Sequence, residues 1–315
     1  MNTTTQDHVT IIAGPCSINE NNISQIDTIA RLTVQNRKGE TQPAIWGVRC
    51  VGLKSRSSIN KSGEGMGMDF HAYMKNIKHL MDGGGHDGLV TTPSIEAAKK
   101  FIAETGVVVA SEIMEPMSQL PVFERELPKG KVFIWNPAVN QLGYQMHVMG
   151  TYANRNNWFI GMKNGKWLGE APAGEVNIME KNWIGQVTFA TEDGEFPLKD
   201  RIAMIQRGVD VGGKGEYRNL PVHDSAVKAK SKSGVKMFYD PSHIHGPLLR
   251  DKIVEATIEA MHMKMEDGTY LYDGILVEVG DSTTDTGQHI TIDELQKICN
   301  EIATFRDLHV DRSSL

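Results

Sequence analysis

A single (β/α)8 barrel spanning residues 1–315 is the fold that the sequence predicts. Three observations point to it. Eight short apolar runs recur along the chain, segments with helical spacing separate them, and the length somewhat exceeds the ~250 residues typical of that fold. The runs are Val9 to Ala13, Ala44 to Val48, Val107 to Ser111, Val132 to Trp135, Trp158 to Met162, Ile202 to Ile205, Val235 to Tyr239 and Gly274 to Val279. They are apolar without alternation, as strands buried on both faces are in a parallel sheet covered by helices. A doubly wound open sheet is the alternative that the same order of elements permits.

The helices between the runs carry end signals. Thr291 and Glu294 form a capping-box pattern ahead of Leu295, Ile298, Ile302 and Phe305, which share one face. Pro247 suits the first turn of a helix whose buried stripe would be Leu249, Ile253, Ala256 and Ala260. Ser94 is placed to cap a helix that Gly106 ends. Two stretches exceed the barrel pattern and read as insertions around it. Leu89 to Thr92 reads as a ninth strand after the loop Gly83 to Gly85, and Asn164 to Lys199 is longer than one helix and two turns require.

Composition narrows the function classes. A formal charge of −6 argues against nucleic acid as the main partner, because phosphate backbones call for a concentrated basic face. Cys16, Cys50 and Cys299 are odd in number and far apart, which implies no disulfide framework and suits a reducing cytosol. No apolar run approaches the roughly 20 residues of a membrane helix. The expectation is a cytoplasmic protein that binds neither membrane nor nucleic acid.

Polar residues gather where the apolar runs end, and in a barrel those ends form the catalytic mouth. Gly14-Pro15-Cys16-Ser17 follows the first run and Asp240-Pro241-Ser242-His243 the seventh, while Glu278 ends the eighth and Asp285 lies in the next loop. Strands one, seven and eight are neighbours in a closed barrel, so Cys16, His243, Glu278 and Asp285 converge. A thiolate, an imidazole and two carboxylates suit a divalent transition metal such as Mn, Co, Zn or Fe. Singly, a cysteine at a strand end is usually core and a carboxylate usually surface; convergence is what raises them. Arg49, Lys54 and Arg56 follow the second run, Lys163 the fifth and Arg207 the sixth. Cations at buried strand ends point to a polyanionic ligand, against the plainer reading that they are solvated charges.

Six motifs in order extend the argument: Gly14-Pro15-Cys16-Ser17, Lys54-Ser55-Arg56-Ser57-Ser58, Lys163-Asn164-Gly165, Gln206-Arg207-Gly208, Asp240-Pro241-Ser242-His243 and Asp285-Thr286-Gly287-Gln288. Together they resemble the superfamily of 3-deoxy-D-arabino-heptulosonate 7-phosphate (DAHP) synthase and 3-deoxy-D-manno-octulosonate 8-phosphate (KDO8P) synthase, from Ile11 to about Leu295. The resemblance implies a TIM barrel, usually a homo-oligomer, that condenses phosphoenolpyruvate with an aldose phosphate. It implies Cys16, His243, Glu278 and Asp285 as metal ligands, and Arg49, Lys54, Lys163 and Arg207 as the phosphoenolpyruvate site. Arg56 and Ser57 match the pair that grips the phosphate of the aldose, and Lys54 and His243 are the candidate catalytic groups. The features divide over the acceptor. Lys163-Asn164-Gly165 and Ser242-His243 lean toward DAHP synthase, which uses erythrose 4-phosphate in aromatic amino acid biosynthesis. Asn136-Pro137-Ala138-Val139, in place of the usual Gly-Ala-Arg, and Arg56-Ser57-Ser58-Ile59 lean toward KDO8P synthase, which uses arabinose 5-phosphate. The usual His-Pro after Glu278 is replaced by Val279-Gly280.

Other readings are weaker. Gly208 to Lys214 reads as a near P-loop, but Gly215 stands where Ser or Thr must hold magnesium, and Pro221 interrupts any following helix. His243-Ile244-His245 invites a metal-hydrolase reading, against which His245 is a neighbouring contact or simply exposed. A catalytically dead sugar-phosphate-binding barrel is the non-enzyme reading, and retention of all four apparent ligands argues against it. Trp135, Trp158 and Phe159 read as core, and Met261 to Met265 as a helix face in the core or at an interface.

Overall fold

The computed structural model describes residues 7–54, 65–169, 178–191 and 200–315. Its eight barrel strands are His8–Gly14, Gly47–Arg49, Val108–Glu112, Val132–Trp135, Phe159–Lys163, Ile202–Gln206, Lys236–Tyr239 and Gly274–Glu278. Each pairs in parallel with the next, and the eighth returns to the first with Gly14 beside Glu278. Closure excludes the open doubly wound sheet. All eight apolar runs became strands, within three residues at each end.

Side chains alternate across each strand, so every strand feeds two cores. Ile12, Trp46, Phe133, Trp135, Phe159, Phe238 and Leu276 point inward and fill the barrel. Trp46 meets Phe159 edge-on at 4.9 Å between centroids, and Phe133 stacks on Phe238 at 6.1 Å. Val9, Ile11, Ile134, Ile160 and Val277 point outward into the helical layer. Two apolar faces per strand are the reason that the runs show no alternation.

The chain closes the lower end of the barrel with its own C-terminal residues. Asp307–Leu308 pairs in parallel with His8 and Val9. Trp46 Nε1 donates to the Asp311 carbonyl at 2.9 Å, Arg312 donates to the carbonyls of Thr105 and Ile45, and Leu315 joins the interior cluster. A small hairpin, Thr33–Gln35 against Thr41–Pro43, sits beside it, tied by Arg37 to Asp307.

Several local expectations change. Leu89 to Thr92 is not a ninth strand. The Asn76 side chain takes both the N–H and the carbonyl of Val90, at 2.8 and 3.0 Å, so a side-chain amide satisfies what a strand partner would. Helix Pro93–Thr105 is not capped by Ser94, which lies in its first turn. Asp69 reaches in to accept the Ser94 N–H at 2.9 Å, while Gly106 ends the helix at φ 68° as expected. Within Asn164 to Lys199, helix Ile178–Ala190 is the ordinary barrel helix; residues 170–177 and 192–199 lie outside the described residues. Pro247 precedes a turn before helix Ile253–His262, whose buried stripe is Ile253, Thr257, Ala260 and Met261; Leu249 and Ala256 are only half-buried. Both hydrogen bonds of the Thr291–Glu294 capping box are present.

Phe133 sits among Trp46, Trp135 and Phe238 with no exposed surface. Phe133→Ala should therefore cost ~3–5 kcal/mol in urea unfolding. A loss under about 1 kcal/mol would mean that the barrel interior is not packed as described.

Candidate active site

The mouth of the barrel is made by strand ends that pin one another. Gly14 adopts φ 146°, and a Cβ there would stand 3.1 Å from both the Cβ and the backbone N of Arg49, so glycine is what lets these two ends meet. Asn136 Oδ1 accepts the Lys163 N–H at 2.9 Å, Asn164 Oδ1 accepts the Arg207 N–H at 2.8 Å, and Ser242 Oγ accepts the Glu278 N–H at 2.9 Å. Each charged residue is thus held at its backbone by the polar residue of the preceding strand end. Rigid backbones are what a preorganised site requires.

Four ion pairs line the mouth. Arg49 Nη2 lies 2.9 Å from Glu278 Oε1, Lys54 Nζ 2.7 Å from Glu112 Oε2, Lys163 Nζ 3.2 Å from Asp240 Oδ2, and Arg218 Nη1 3.2 Å from Asp285 Oδ1. Trp135 is the floor beneath them, its ring centroid 5.3 Å from the Arg49 guanidinium and 5.6 Å from Lys163 Nζ. Trp135 is core, as expected, but it is also the surface on which the cations rest. Burial alone would raise the Glu112 carboxyl, yet Lys54 and Lys163 outweigh it and hold it down to about 2. Arg207 differs from the other cations. Among the described residues it makes no ion pair, and its buried Nε and Nη1 have no hydrogen-bond partner. Burial brings its pKa down to about 10, against the pull of Asp240.

Cys16 Sγ and one oxygen each of Glu278 and Asp285 lie within 4.8 Å of one another. His243 stands outside this trio and approaches it only at Glu278. It sits on the short helix Pro241–His245, where Asp240 accepts its backbone N–H and fixes its ring through Nδ1 at 3.0 Å. That leaves Nε2 toward Glu278, 3.8 Å from Oε1. A carboxylate behind a histidine is the usual way to orient an imidazole for a metal. Burial lowers the His243 pKa against the opposing pull of Asp240, which favours the neutral ring. Burial, reinforced by Glu278, raises the Cys16 thiol to about 12. A cation binding there must displace that proton. The donor set fits a divalent transition metal.

The sequence-predicted residues are brought together with two exceptions. Arg56 and Ser57 lie outside the described residues. Lys54, Lys163, Arg207, His243 and Asp285 all line one cavity of ≈ 160 Å³, walled by Pro137, Ala138 and Val139. Arg49, Cys16 and Glu278 lie just beneath it. Arg49 spends Nε on the Pro15 carbonyl and Nη2 on Glu278. Sequence reasoning missed Glu112, Arg218 and His289, and it quoted Gln288 in a motif without giving it a role. Glu112 lies directly after the third apolar run and was legible by the rule that located Glu278. Arg218 sits in mid-loop, with no strand end to announce it. Gln288 donates to Glu278, and His289 Nε2 accepts the Cys16 N–H at 3.0 Å. His245 is buried rather than exposed, its ring edge against Tyr217. No helix starts at Lys214; the next begins at His223, so the P-loop pattern lacks its helix.

No family model and no curated protein matches this chain. Among solved structures, the crystal structure of phospho-2-dehydro-3-deoxyheptonate aldolase (DAHP synthase) from Thermotoga maritima is similar to it, with a TM-score of 0.64 and 17% sequence identity. The match covers 96% of this chain and 72% of that one. At that identity the likeness bears on the fold, and it agrees with the closed barrel.

The Lys54–Glu112 pair makes a stability prediction. Glu112→Gln leaves a buried ammonium unanswered and should cost ~3–5 kcal/mol at neutral pH. The folded pKa lies below the ordinary value, so the stabilisation is full above about pH 4.5 and is lost as pH falls toward 2. The difference between wild type and Glu112→Gln, followed by chemical unfolding, should shrink across that window. A difference independent of pH would mean that Glu112 acts through packing rather than charge.

Proposed function

We propose that this chain condenses phosphoenolpyruvate with a phosphorylated aldose, using a divalent metal held by Cys16, His243, Glu278 and Asp285. The observation that carries the reading is Arg207: a buried guanidinium with orphaned donors, lining a cavity shared with Lys163, Lys54, His243 and Asp285. A small polyanion answers that arrangement. Each charged hydrogen bond to it contributes roughly 1.5–3 kcal/mol.

In this reading, Arg207 and Lys163 grip the phosphate and carboxylate of phosphoenolpyruvate. Arg49 adds charge and its remaining Nη1 from below, while Nη2 holds Glu278 and Nε donates to the Pro15 carbonyl. Arg56 and Ser57 hold the phosphate of the aldose, which sets the aldehyde carbon against C3 of phosphoenolpyruvate. C3 attacks that carbon, water adds at C2, and the C2–O phosphate bond breaks, giving the 3-deoxy-ulosonate phosphate and inorganic phosphate. A divalent metal held by Cys16, His243, Glu278 and Asp285 would supply Lewis-acid polarisation of the aldehyde oxygen, worth several kcal/mol. Lys54 delivers the proton to the new alkoxide. Burial opposes its charge, but Cys16 and Glu112 outweigh burial and hold its pKa above the ordinary lysine value.

The acceptor we propose is erythrose 4-phosphate, giving 3-deoxy-D-arabino-heptulosonate 7-phosphate; Lys163-Asn164-Gly165 and Ser242-His243 support it. One observation favours arabinose 5-phosphate instead: Pro137 and Ala138, the residues that lean toward KDO8P synthase, form a wall of the cavity.

Phosphate release from phosphoenolpyruvate, assayed with each aldose phosphate in turn, tests the reading. The expected result is a higher kcat/KM with erythrose 4-phosphate, abolished by a strong chelator and restored at least in part by Mn, Co, Zn or Fe. Silence with both acceptors would overturn it. Lys163→Ala should raise KM for phosphoenolpyruvate about tenfold or more with little change for the aldose, and Arg56→Ala should do the reverse. If Arg56→Ala spares the aldose, its phosphate is not gripped there.

A further inference from the structure

Arg218 lies where the two halves of the site meet. Its Nη1 is 3.2 Å from Asp285 Oδ1, and it also donates to Gln288 Oε1. Asp285 Oδ2 faces the other way, accepting from Cys16 Sγ at 3.5 Å. One carboxylate is therefore shared between a guanidinium and the group of atoms suited to a cation. The Arg218 guanidinium lines the same cavity as Arg207.

The backbone beneath Arg218 is fastened while its side chain has room. Its N–H donates to the His245 carbonyl at 3.3 Å, and the next N–H, of Asn219, donates to the Ile244 carbonyl at 3.1 Å. Asn219 Nδ2 donates to the His243 carbonyl. These bonds tie the segment to the short helix that carries His243. A Cβ on Gly246, which has φ 67°, would stand 2.4 Å from the Arg218 Cβ, so that glycine admits the arginine. The side chain is 33% exposed, unlike Arg49 at 1%. Arg218 has a fixed root and a movable head.

We propose that Arg218 couples cation binding to anion binding: it competes with the metal for Asp285 and, once displaced, turns onto the anion beside Arg207. This rests on the function proposed above, and it adds a residue that neither the sequence motifs nor the resemblance supplied. The physical cause is charge. A divalent cation drawing on Asp285 weakens the attraction that holds Arg218 and repels the guanidinium, and an anion bound in the cavity that Arg218 shares with Arg207 offers charged acceptors for its donors. By linkage, the anion in turn removes the competitor for Asp285 and favours the cation.

The test reads binding, not turnover. Affinities of Co²⁺ alone, and of phosphoenolpyruvate with and without Co²⁺, are measured by calorimetry on wild type, Arg218→Gln and Arg218→Lys. In Arg218→Gln, Co²⁺ alone should bind several-fold more tightly, because its competitor is gone. Phosphoenolpyruvate should bind the Co²⁺-loaded variant on the order of tenfold more weakly than loaded wild type. Arg218→Lys, which keeps the charge, should fall between the two. Opposite shifts for the two ligands distinguish this role from a structural one, which would weaken both. Joint weakening, or phosphoenolpyruvate affinity unchanged in loaded Arg218→Gln, would overturn the coupling and leave the proposed function standing. If wild type binds neither Co²⁺ nor phosphoenolpyruvate, both fall.

Discussion

An unanswered guanidinium in a protein interior costs several kcal/mol even after its surroundings relax. At the mouth of this barrel Arg207 bears that cost while its neighbours do not. Arg49, Lys54, Lys163 and Arg218 each find a carboxylate, and those carboxylates are Glu278, Glu112, Asp240 and Asp285. The pairing makes so much buried charge compatible with a folded barrel. Among the described residues it also leaves Arg207 without a carboxylate, at the wall of a cavity that opens between the strand ends. A fold of marginal net stability has little room for such a group unless a ligand completes it.

Trp135 is the boundary on which this division depends. Below it lie the aromatic rings that fill the barrel, closed underneath by Leu315; above it stand the cations and their carboxylates. A parallel barrel suits this arrangement, because every strand sends its last residue to the same end. The apolar layer fixes the strands, and the side-chain-to-backbone bonds from Asn136, Asn164 and Ser242 then fix the charged residues on them. Asp240 serves twice: it neutralises Lys163, and it holds the His243 ring so that Nε2 is turned toward Glu278. Removing it would therefore disturb Lys163 and His243 together.

Much of this was legible in the sequence, because strands buried on both faces leave a signal that tertiary packing does not contradict. All eight strands were found, and with them the residues that end them: Cys16 after the first, Lys163, Glu278 and their companions. What failed was local chemistry supplied from a distance. Leu89 to Thr92 has the composition of a strand, but Asn76 satisfies its backbone instead. Ser94 looks like a cap, but Asp69 performs the capping. Arg218 and Gln288 could not be found from apolar patterning, since they sit inside loops and reach the site only through a fold that brings residue 218 beside residue 285.

Arg207→Met offers the most direct test of whether the mouth is built around an anion. Methionine fills similar space without charge. Thermal unfolding would be followed for wild type and variant, each with and without phosphoenolpyruvate at about 100 times its wild-type Kd, where binding stabilises the native state by ~2.7 kcal/mol. The unliganded variant should melt at or above wild type, because a buried unpaired charge has been removed. Phosphoenolpyruvate should raise the Tm of wild type and leave that of the variant nearly unchanged. A variant that melts well below wild type, yet is still stabilised by phosphoenolpyruvate to the same extent, would contradict a mouth built around an anion.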